Sequence, residues 1–306
     1  MSTPRPPITP AGYQQRINSR AANAAQHSTL SKSQLIGIYY YRRLLARVFT
    51  ADPGYWTLKG GQALLARWPT ARYSTDIDLL REGTLDEAVR ALISAANTDL
   101  DDHLRFAHKD TSMPTEIERL TRKVRFRAMV GNRELHVVSV DVVAGDTPSG
   151  VVSTSLESPF GPDGEPWPPV RMFPLEDHTA EKICAMYELH GHSGAASSRY
   201  KDLVDLMVIA HRSTLNGPTT HAVLQAEARR RQHHITLRLP STFTLPDRSW
   251  TSGYGRFASR VHELPRELHT LSGARPLIEA FLNPLLGADP PPGHWVPEQR
   301  RWAAER

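Results

Sequence analysis

The sequence predicts an α+β fold, in which a small mixed sheet with flanking helices is followed by a helical domain. Up to about residue 174, short β-branched or alternating runs are interspersed with helical patterns. From Leu175 onwards, apolar residues recur mainly at helical spacing. We therefore expect a mixed domain over 31–174 and a helical domain over 175–288.

The two ends of the chain are expected to lie outside these domains. Residues 1–30 are rich in Pro, Ser, Ala and Gln and carry few large apolar side chains. That composition is typical of a flexible arm that is at most partly helical. Residues 289–306 begin with a proline run and end with charged residues, so we expect a tail there.

The composition indicates a packed core and an anionic partner. Hydrophobic residues make up 40% of the 306 positions and charged residues 23%, which is typical of globular proteins. The formal net charge is +5, and the sequence pI is about 9.4. This balance favours nucleic acid, the commonest anionic partner, without specifying it.

Cysteine usage and hydropathy point to the cytoplasm. The single cysteine, Cys184, excludes an internal disulfide and any zinc site built from cysteines. No apolar run reaches the roughly 18 residues that a membrane span needs. The N-terminus also lacks the apolar core of a signal peptide. We therefore expect a cytoplasmic protein with no membrane partner.

Capping and turn residues divide the mixed domain into elements. Ser31 is expected to cap a helix that ends at Asp52-Pro53-Gly54, and Thr84-Leu85-Asp86-Glu87 has the pattern of a capping box for a later helix. Strands are expected at 55–58 and 76–80. A hairpin should pair residues 124–128 with residues 135–143 through a turn at Gly131-Asn132.

The stretch between the first two strands has the pattern of a nucleotide site. A strand runs into Leu58-Lys59-Gly60-Gly61, and after a short apolar segment the next strand opens with Asp76-Ile77-Asp78. The two aspartates share one strand face, where they repel unless a cation or a proton intervenes. Mg²⁺ prefers such oxygen ligands, and glycines at a helix start let phosphates approach backbone N–H groups. Alone, an Asp-x-Asp is usually a solvated turn and a Gly-Gly usually a loop, so the order of the elements carries the prediction.

A third carboxylate, Asp141, lies inside the return strand of the hairpin. It follows Val138-Ser139-Val140, and a carboxylate among buried residues is costly without a cation or a donor. Asp141 is therefore either a third acidic group of the site or a solvated residue of an edge strand.

These motifs resemble the nucleotidyltransferase superfamily, whose signature is Gly-Ser or Gly-Gly followed by Asp-x-Asp. Leu58-Lys59-Gly60-Gly61 and Ser74-Thr75-Asp76-Ile77-Asp78-Leu79 are similar to the AbiEii/AbiGii toxin family, which includes the mycobacterial MenT toxins. Glu181-Lys182, followed by Arg199-x-x-Asp202-Leu203-x-Asp205-Leu206, resembles the second half of that pattern. The resemblance covers residues 55–209, about half of the chain. Gly61 stands where the wider superfamily often has a phosphate-binding serine, whereas the AbiEii-like pattern favours Gly-Gly.

The resemblance implies a polymerase-β-like core that uses an NTP as substrate and Mg²⁺, or Mn²⁺, as cofactor. The expected metal ligands are Asp76, Asp78 and Asp141. The expected catalytic residues are Asp76, Asp78, Lys182 and Asp202. The expected nucleotide-binding residues are Lys59, Gly60, Gly61, Ser74, Lys182 and Arg199. Asp202 is expected to orient Lys182 or Arg199, or to help place the acceptor.

The resemblance further implies the toxin of a toxin–antitoxin pair. Its MenT-like members imply transfer of a pyrimidine nucleotide to the 3′ acceptor end of tRNA, which blocks translation. A winged-helix antitoxin similar to AbiEi would be encoded nearby. The alternatives are a small-molecule acceptor, as in antibiotic-modifying enzymes, a protein side chain, or a degenerate module that only binds nucleotides or nucleic acid. The presence of both Asp76 and Asp78 argues against degeneracy.

Two further expectations concern the acceptor and the architecture. The cations expected to contact RNA are Arg125, Arg127, Arg199, Lys201 and the cluster Arg229–Arg231. The alternative for that cluster is a solvated helix end. We also expect Lys182 and Asp202 to face Asp76 across a cleft between the two domains.

Overall fold

The chain divides into two units in the computed structural model, which describes residues 9–112, 121–191, 194–262 and 264–304. The first unit comprises the residues up to Arg67 and those from Tyr73 to Phe173. The second comprises Trp68–Arg72 and the residues from Pro174 onwards. The second unit is thus discontinuous in sequence, because it includes a short stretch from the middle of the first.

Within the described residues, the first unit is built on a seven-stranded mixed sheet. Its helices are α1 (Pro10–Ala25), α2 (Lys32–Ala51), α3 (Gly60–Arg67) and α4 (Leu85–Ala95). Its strands are β1 (Trp56–Lys59), β2 (Asp76–Arg81), β3 (Leu104–Thr111), β4 (Thr121–Val130), β5 (Arg133–Ala144), β6 (Val152–Ser155) and β7 (Pro169–Met172). They lie in the order β3-β4-β5-β2-β1-β7-β6, with β2–β5 and β1–β7 parallel. The predicted α+β fold with a mixed sheet and flanking helices is confirmed.

The central strands of this sheet bury one face and leave the other partly open. On β4, Val124, Phe126 and Ala128 are buried, and on β5 Val138 and Val140 are buried. Helices α2 and α4 pack against β5. Because side chains alternate along a strand, the intervening polar residues point to the opposite side of the sheet. That side carries the carboxylates described below.

The predicted caps of α2 and α4 are confirmed. Ser31 accepts a hydrogen bond from the backbone N–H of Gln34, whose side chain accepts one from the backbone of Ser31. Thr84 and Glu87 form the same reciprocal pair at the start of α4. Each box pairs two backbone N–H groups that have no partner inside the helix, which fixes where the helix begins.

The flexible arm predicted for residues 1–30 is corrected by α1. Thr9 caps this helix, and Tyr13, Ile17 and Ala21 form a buried stripe at helical spacing. The helix packs along α2, and the hydroxyls of Tyr13 and Tyr39 are hydrogen-bonded at 2.7 Å. The apolar face, together with bonds from Arg16 to Glu165 and from Arg20 to the carbonyls of residues 160–162, holds a helix whose overall composition is polar. Residues 1–8 of the predicted arm lie outside the described residues.

The second unit is mainly helical. Its helices are α5 (Leu175–Tyr187), α6 (Tyr200–Arg212), α7 (Gly217–Gln232), α8 (Trp250–Ala258) and α9 (Leu271–Leu286), with 3₁₀ turns at Arg266–His269 and Pro297–Gln299. Its short strands are β8 (Glu188–His190), β9 (Ala195–Ala196), β10 (Thr236–Leu237), β11 (His294–Val296) and β12 (Arg301–Ala303). Nowhere in the described part of the chain does a helix combine the length and apolar character that crossing a membrane requires.

The tail predicted for residues 289–306 is in part a packed hairpin. β11 and β12 pair with Trp295 opposite Trp302. Trp295 is fully buried, and its indole Nε1 donates to the carbonyl of Ala210 at 2.7 Å. Its ring also contacts Phe281 edge-on. An aromatic anchor of this size holds the hairpin within the second unit, despite the prolines that precede it.

A buried ion triad joins α2 to the start of β3 in the first unit. Arg43, Arg47 and Asp102 are each almost completely buried. Arg43 Nε donates to Asp102 Oδ2 at 2.7 Å, and Arg47 Nη2 donates to Asp102 Oδ1 at 2.5 Å. Burial raises the pKa of Asp102, but the two guanidinium groups outweigh it, so the pKa lies below its ordinary value. Asp102 is therefore held ionised between two arginines.

Removing the carboxylate of this triad is expected to destabilise the fold. Asp102→Asn leaves the buried Arg47 without its counter-charge and Arg43 with only Glu165, 3.9 Å away, which costs about 3–5 kcal/mol. Urea denaturation at neutral pH measures the change in the free energy of unfolding. The matched control is Asp110→Asn, because the ion pair of Asp110 with Arg125 is exposed and worth less than about 1 kcal/mol. A similarly small loss in Asp102→Asn would contradict a structural role for the triad.

Candidate active site

Three carboxylates lie on the partly open face of the sheet, where β2 and β5 run side by side. Asp76 and Asp78 are two residues apart on β2, and Asp141 of β5 is the direct partner of Asp78. β5 lies between β4 and β2, so Asp141 is not on an edge strand. Its side chain is 25% exposed. The pairing therefore brings the three acidic residues of the predicted site together on one surface.

A lysine that no sequence pattern singled out lies among these carboxylates. Lys123 of β4 is the direct partner of Asp141. Its Nζ is 3.2 Å from Asp141 Oδ2 and 3.7 Å from Asp76 Oδ1. Partial burial lowers the pKa of Lys123, but Asp141 and then Asp76 raise it more, so the net pKa lies above its ordinary value. A protonated lysine thus balances part of the negative charge.

The glycine that begins α3 lies against one of the carboxylates. Gly60 has a φ of +64°, in the left-handed region that glycine occupies without strain. A Cβ atom at this position would lie 1.8 Å from Asp78 Oδ2. Gly60 is thus required both by its backbone conformation and by the space that Asp78 occupies. The Gly-Gly of the sequence motif and the Asp-x-Asp are therefore in direct contact.

The other predicted nucleotide-binding residues of this unit surround the same turn. Lys59 is the last residue of β1, and its Nζ lies 5.0 Å from the centre of the Phe173 ring. Gly61 is buried in the first turn of α3. The carbonyl of Ser74 accepts a hydrogen bond from Gln62 Nε2 at 2.8 Å, which ties the residues before β2 to α3. This bond gives Gln62 a positioning role that no sequence signal indicated.

The donor set suits a hard divalent cation. The carboxylates supply the oxygen ligands that Mg²⁺ prefers, and the ammonium of Lys123 shows that a cation is accommodated between Asp76 and Asp141. Within the described residues, no three Asp, Glu, His or Cys side chains are already gathered around one point. Holding a metal would therefore require side-chain movement, including displacement of Lys123 from Asp76 and Asp141.

The second unit contains a separate buried ion cluster around Lys182 of α5. Its Nζ is 2.5 Å from Asp205 Oδ2 and 3.2 Å from Asp202 Oδ1. Arg72 binds Asp205 through two hydrogen bonds of 2.8 and 2.7 Å. Arg199 Nη1 is 3.4 Å from Asp202 Oδ2. Asp202 thus contacts both Lys182 and Arg199, while Asp205, absent from the predicted site, makes the shortest contact with Lys182.

The charges of this cluster are strongly coupled. Burial lowers the pKa of Lys182, but Asp205 and Asp202 raise it more, so that the pKa lies above its ordinary value. Burial likewise raises the pKa of Asp205, but Arg72 and Lys182 lower it to about 2. Lys182 is therefore a protonated cation at neutral pH. Arg72 is a further member of the cluster that sequence reasoning missed.

The arginine cluster predicted to contact RNA is largely paired within the protein. Arg230 and Arg231 of α7 both bind Glu227, and Arg231 also binds Glu188. Two of the three guanidinium groups in the predicted cluster thus form ion pairs with carboxylates. The expectation that all three contact a phosphate backbone stays a prediction. Arg229 is exposed in the last turn of the same helix.

The sequence of this chain matches a known protein family. The model of the nucleotidyl transferase AbiEii toxin family, of Type IV toxin–antitoxin systems, matches residues 43–302. MenT4, a nucleotidyltransferase toxin of Mycobacterium tuberculosis, has a similar structure with a TM-score of 0.53 and 15% identity, over 89% of this chain and 99% of its own. That likeness shows a shared fold. No curated protein sequence matches this chain.

Two Helicobacter pylori structures are also similar, at lower TM-scores. A candidate nucleotidyltransferase has a TM-score of 0.44 and 15% identity, over 83% of this chain and 93% of its own. JHP933 has a TM-score of 0.40 and 16% identity, over 79% of this chain and 97% of its own. The family match alone extends from α2 to β12. The chain therefore belongs to the AbiEii family of nucleotidyltransferase toxins.

Proposed function

We propose that this nucleotidyltransferase transfers a pyrimidine nucleotide from an NTP to the 3′ acceptor end of tRNA and so blocks translation. The observation that carries the proposed site is the pairing of Asp78 with Asp141, with Asp76 on the same sheet face. The tRNA acceptor and the pyrimidine donor rest on the resemblance to MenT toxins, supported by the net charge of +5. A winged-helix antitoxin similar to AbiEi is the proposed protein partner.

The carboxylates are proposed to hold the cofactor. Asp76, Asp78 and Asp141 would bind Mg²⁺ or Mn²⁺, which when bound supplies Lewis-acid polarisation of the α-phosphate and stabilises the leaving pyrophosphate. The turn before α3 would bind the phosphates, because the Gly60 and Gly61 N–H groups lie at a helix start next to Lys59. Ser74 would also contact the nucleotide, from the loop that Gln62 ties to α3.

Cations of the second unit are proposed to bind the same substrate. Lys182 would act as a phosphate clamp, and Arg199 would add a second cation. Asp205 and Asp202 would position Lys182, with Arg72 holding Asp205 in turn. The predicted approach of Lys182 and Asp202 to Asp76 stays a prediction. In this proposal the second unit supplies positive charge and the first supplies the metal ligands.

Labelling assays test the reaction and its site together. The protein is incubated with each labelled NTP and with tRNA in Mg²⁺, and label is expected at the tRNA 3′ end with CTP or UTP. Asp76→Asn or Asp78→Asn should lower transfer about 1,000-fold, because each removes a metal ligand worth several kcal/mol in the transition state. Asp110→Asn, an exposed carboxylate on the neighbouring β3, should retain activity.

Two outcomes would overturn parts of this proposal. Near-normal transfer by either Asp76→Asn or Asp78→Asn would show that the metal is held elsewhere. Labelling of a small molecule or a protein, with no RNA labelled by any NTP, would replace the acceptor but leave the site intact.

Acid titration tests the cluster around Lys182. Because the pKa of Asp205 is depressed to about 2, its contribution to stability is complete above the ordinary value near 3.8 and is lost as pH falls towards 2. That contribution is on the order of 2 kcal/mol. The free energies of unfolding of wild type and Asp205→Asn should therefore differ by a steady amount down to about pH 4. They should converge as the pH falls from there towards 2. Urea denaturation at a series of pH values measures this, and a constant difference would contradict the paired state of Asp205.

Salt dependence tests the RNA surface. Residues 229–275 contain nine arginines, no lysine and three acidic residues. Within this segment, Arg256 and Arg275 line a groove of about 470 Å³ with His269 and several hydroxyl groups. Replacing Arg256 and Arg275 by Gln should weaken tRNA binding and lower the slope of log affinity against log salt by about 0.7–0.9 for each phosphate that is no longer neutralised.

The control for this surface comes from the arginines of α7. Arg231→Gln should leave the salt slope unchanged, because Arg231 is held by two largely buried carboxylates, Glu227 and Glu188. The single ion pair of Arg275, with Glu279, is exposed and worth little, so Arg275 can exchange it for a phosphate. NTP binding should be unaffected by the double substitution of Arg256 and Arg275. An unchanged slope in that double variant would exclude the groove from RNA binding.

A further inference from the structure

The contact between Lys123 and the carboxylates follows from strand pairing. Lys123 is the direct partner of Asp141, which is in turn the direct partner of Asp78. Its neighbour on the same face of β4, Arg125, is about equally exposed, at 42% against 40% for Lys123. Arg125 nevertheless pairs with Asp110 of β3 instead. Of these two similar cations, only Lys123 contacts the predicted metal ligands.

A divalent cation and the Lys123 ammonium need the same oxygens. Mg²⁺ binds carboxylate oxygens at about 2.0–2.1 Å. With Lys123 Nζ at 3.2 Å from Asp141 Oδ2, a metal on that oxygen would lie within about 5 Å of a second positive charge. Such cations repel one another, so metal binding should drive the ammonium away from its carboxylates. The four-carbon side chain is long and flexible enough to move.

We propose that Lys123 is a built-in counter-cation that competes with the divalent metal and makes metal binding depend on the nucleotide. In the metal-free protein its ammonium binds Asp141 and Asp76. When an NTP arrives, its phosphate oxygens offer the displaced ammonium a new partner, so metal and nucleotide bind best together. By linkage, each then raises the affinity for the other by the same factor. This inference rests on the proposed function, since it requires the carboxylates to hold the metal.

Metal titration of the full-length protein tests the competition directly. Mn²⁺ binding is measured by electron paramagnetic resonance, with and without a CTP analogue that cannot be cleaved between the α- and β-phosphates. Without nucleotide, Lys123→Met should bind Mn²⁺ about five- to tenfold more tightly than wild type, the range expected from losing one or two exposed ion pairs. The affinity gain on adding the analogue should be larger in wild type than in Lys123→Met.

Two control variants separate this effect from a general change in charge. Arg125→Met removes an equally exposed cation from the same strand face and should bind Mn²⁺ as wild type does. Lys123→Arg keeps the charge and should keep the dependence on nucleotide. Thermal unfolding without metal gives an independent readout. Lys123→Met should have a lower melting temperature than wild type without Mn²⁺, and a larger increase when Mn²⁺ is added.

The outcomes distinguish this inference from the proposed function. If wild type and Lys123→Met bind Mn²⁺ with equal affinity and gain equally from the analogue, the counter-cation role is wrong while the metal site stands. If Arg125→Met tightens binding as much as Lys123→Met, the effect is general electrostatics and the inference also fails. If none of the proteins binds Mn²⁺ even with the analogue, the metal-dependent function itself is overturned.

Discussion

The side-by-side pairing of β2, β5 and β4 is the constraint on which the site depends. It sets Asp78 beside Asp141, and Asp141 beside Lys123, in one row across three strands. Carboxylates brought together in this way repel one another, and the pairing that creates the repulsion also supplies a lysine to offset it. The electrostatics of the site are thus a property of strand register before any ligand arrives.

The same register is held in place by the opposite face of the sheet. Ile77 and Leu79 alternate with the carboxylates on β2, and Val140 and Val142 flank Asp141 on β5; all four are fully buried. A slip of one residue would exchange buried valines for carboxylates, so the hydrophobic core enforces the position of the charges. The charged cluster of the second unit differs from this partly exposed row, because Lys182 and Asp205 are buried and form an ion pair.

Much of the first unit could be predicted because its signals are local. Side chains alternate along a strand, so Asp76 and Asp78 lie on one face of β2. The capping boxes at Ser31 and Thr84 show where α2 and α4 begin. Asp141 was identified as a candidate from its apolar surroundings, but only the observed strand order excludes an edge position. The contact of Gly60 with Asp78 was hidden as well, since it requires the three-dimensional path of the turn.

The residues that were missed depend on non-local geometry. An unbroken hairpin from the turn at Gly131-Asn132 would place Arg122 opposite Asp141, and a bulge between Ala128 and Met129 shifts the pairing so that Lys123 stands there. Arg72 and Asp205 are 133 residues apart, beyond any local pattern. The stripe on α1 was too narrow to stand out from a polar composition.

The discontinuous course of the second unit has a consequence for dissecting the protein. Trp68–Arg72 belongs to that unit although the chain on both sides of it belongs to the first. A single cut at Phe173 would therefore not yield two intact halves. The N-terminal fragment would carry Arg72 without Asp205, and the C-terminal fragment would keep a buried Asp205 that has only one of its two cations. Dividing this protein cleanly therefore requires a graft of the five-residue segment onto the C-terminal half.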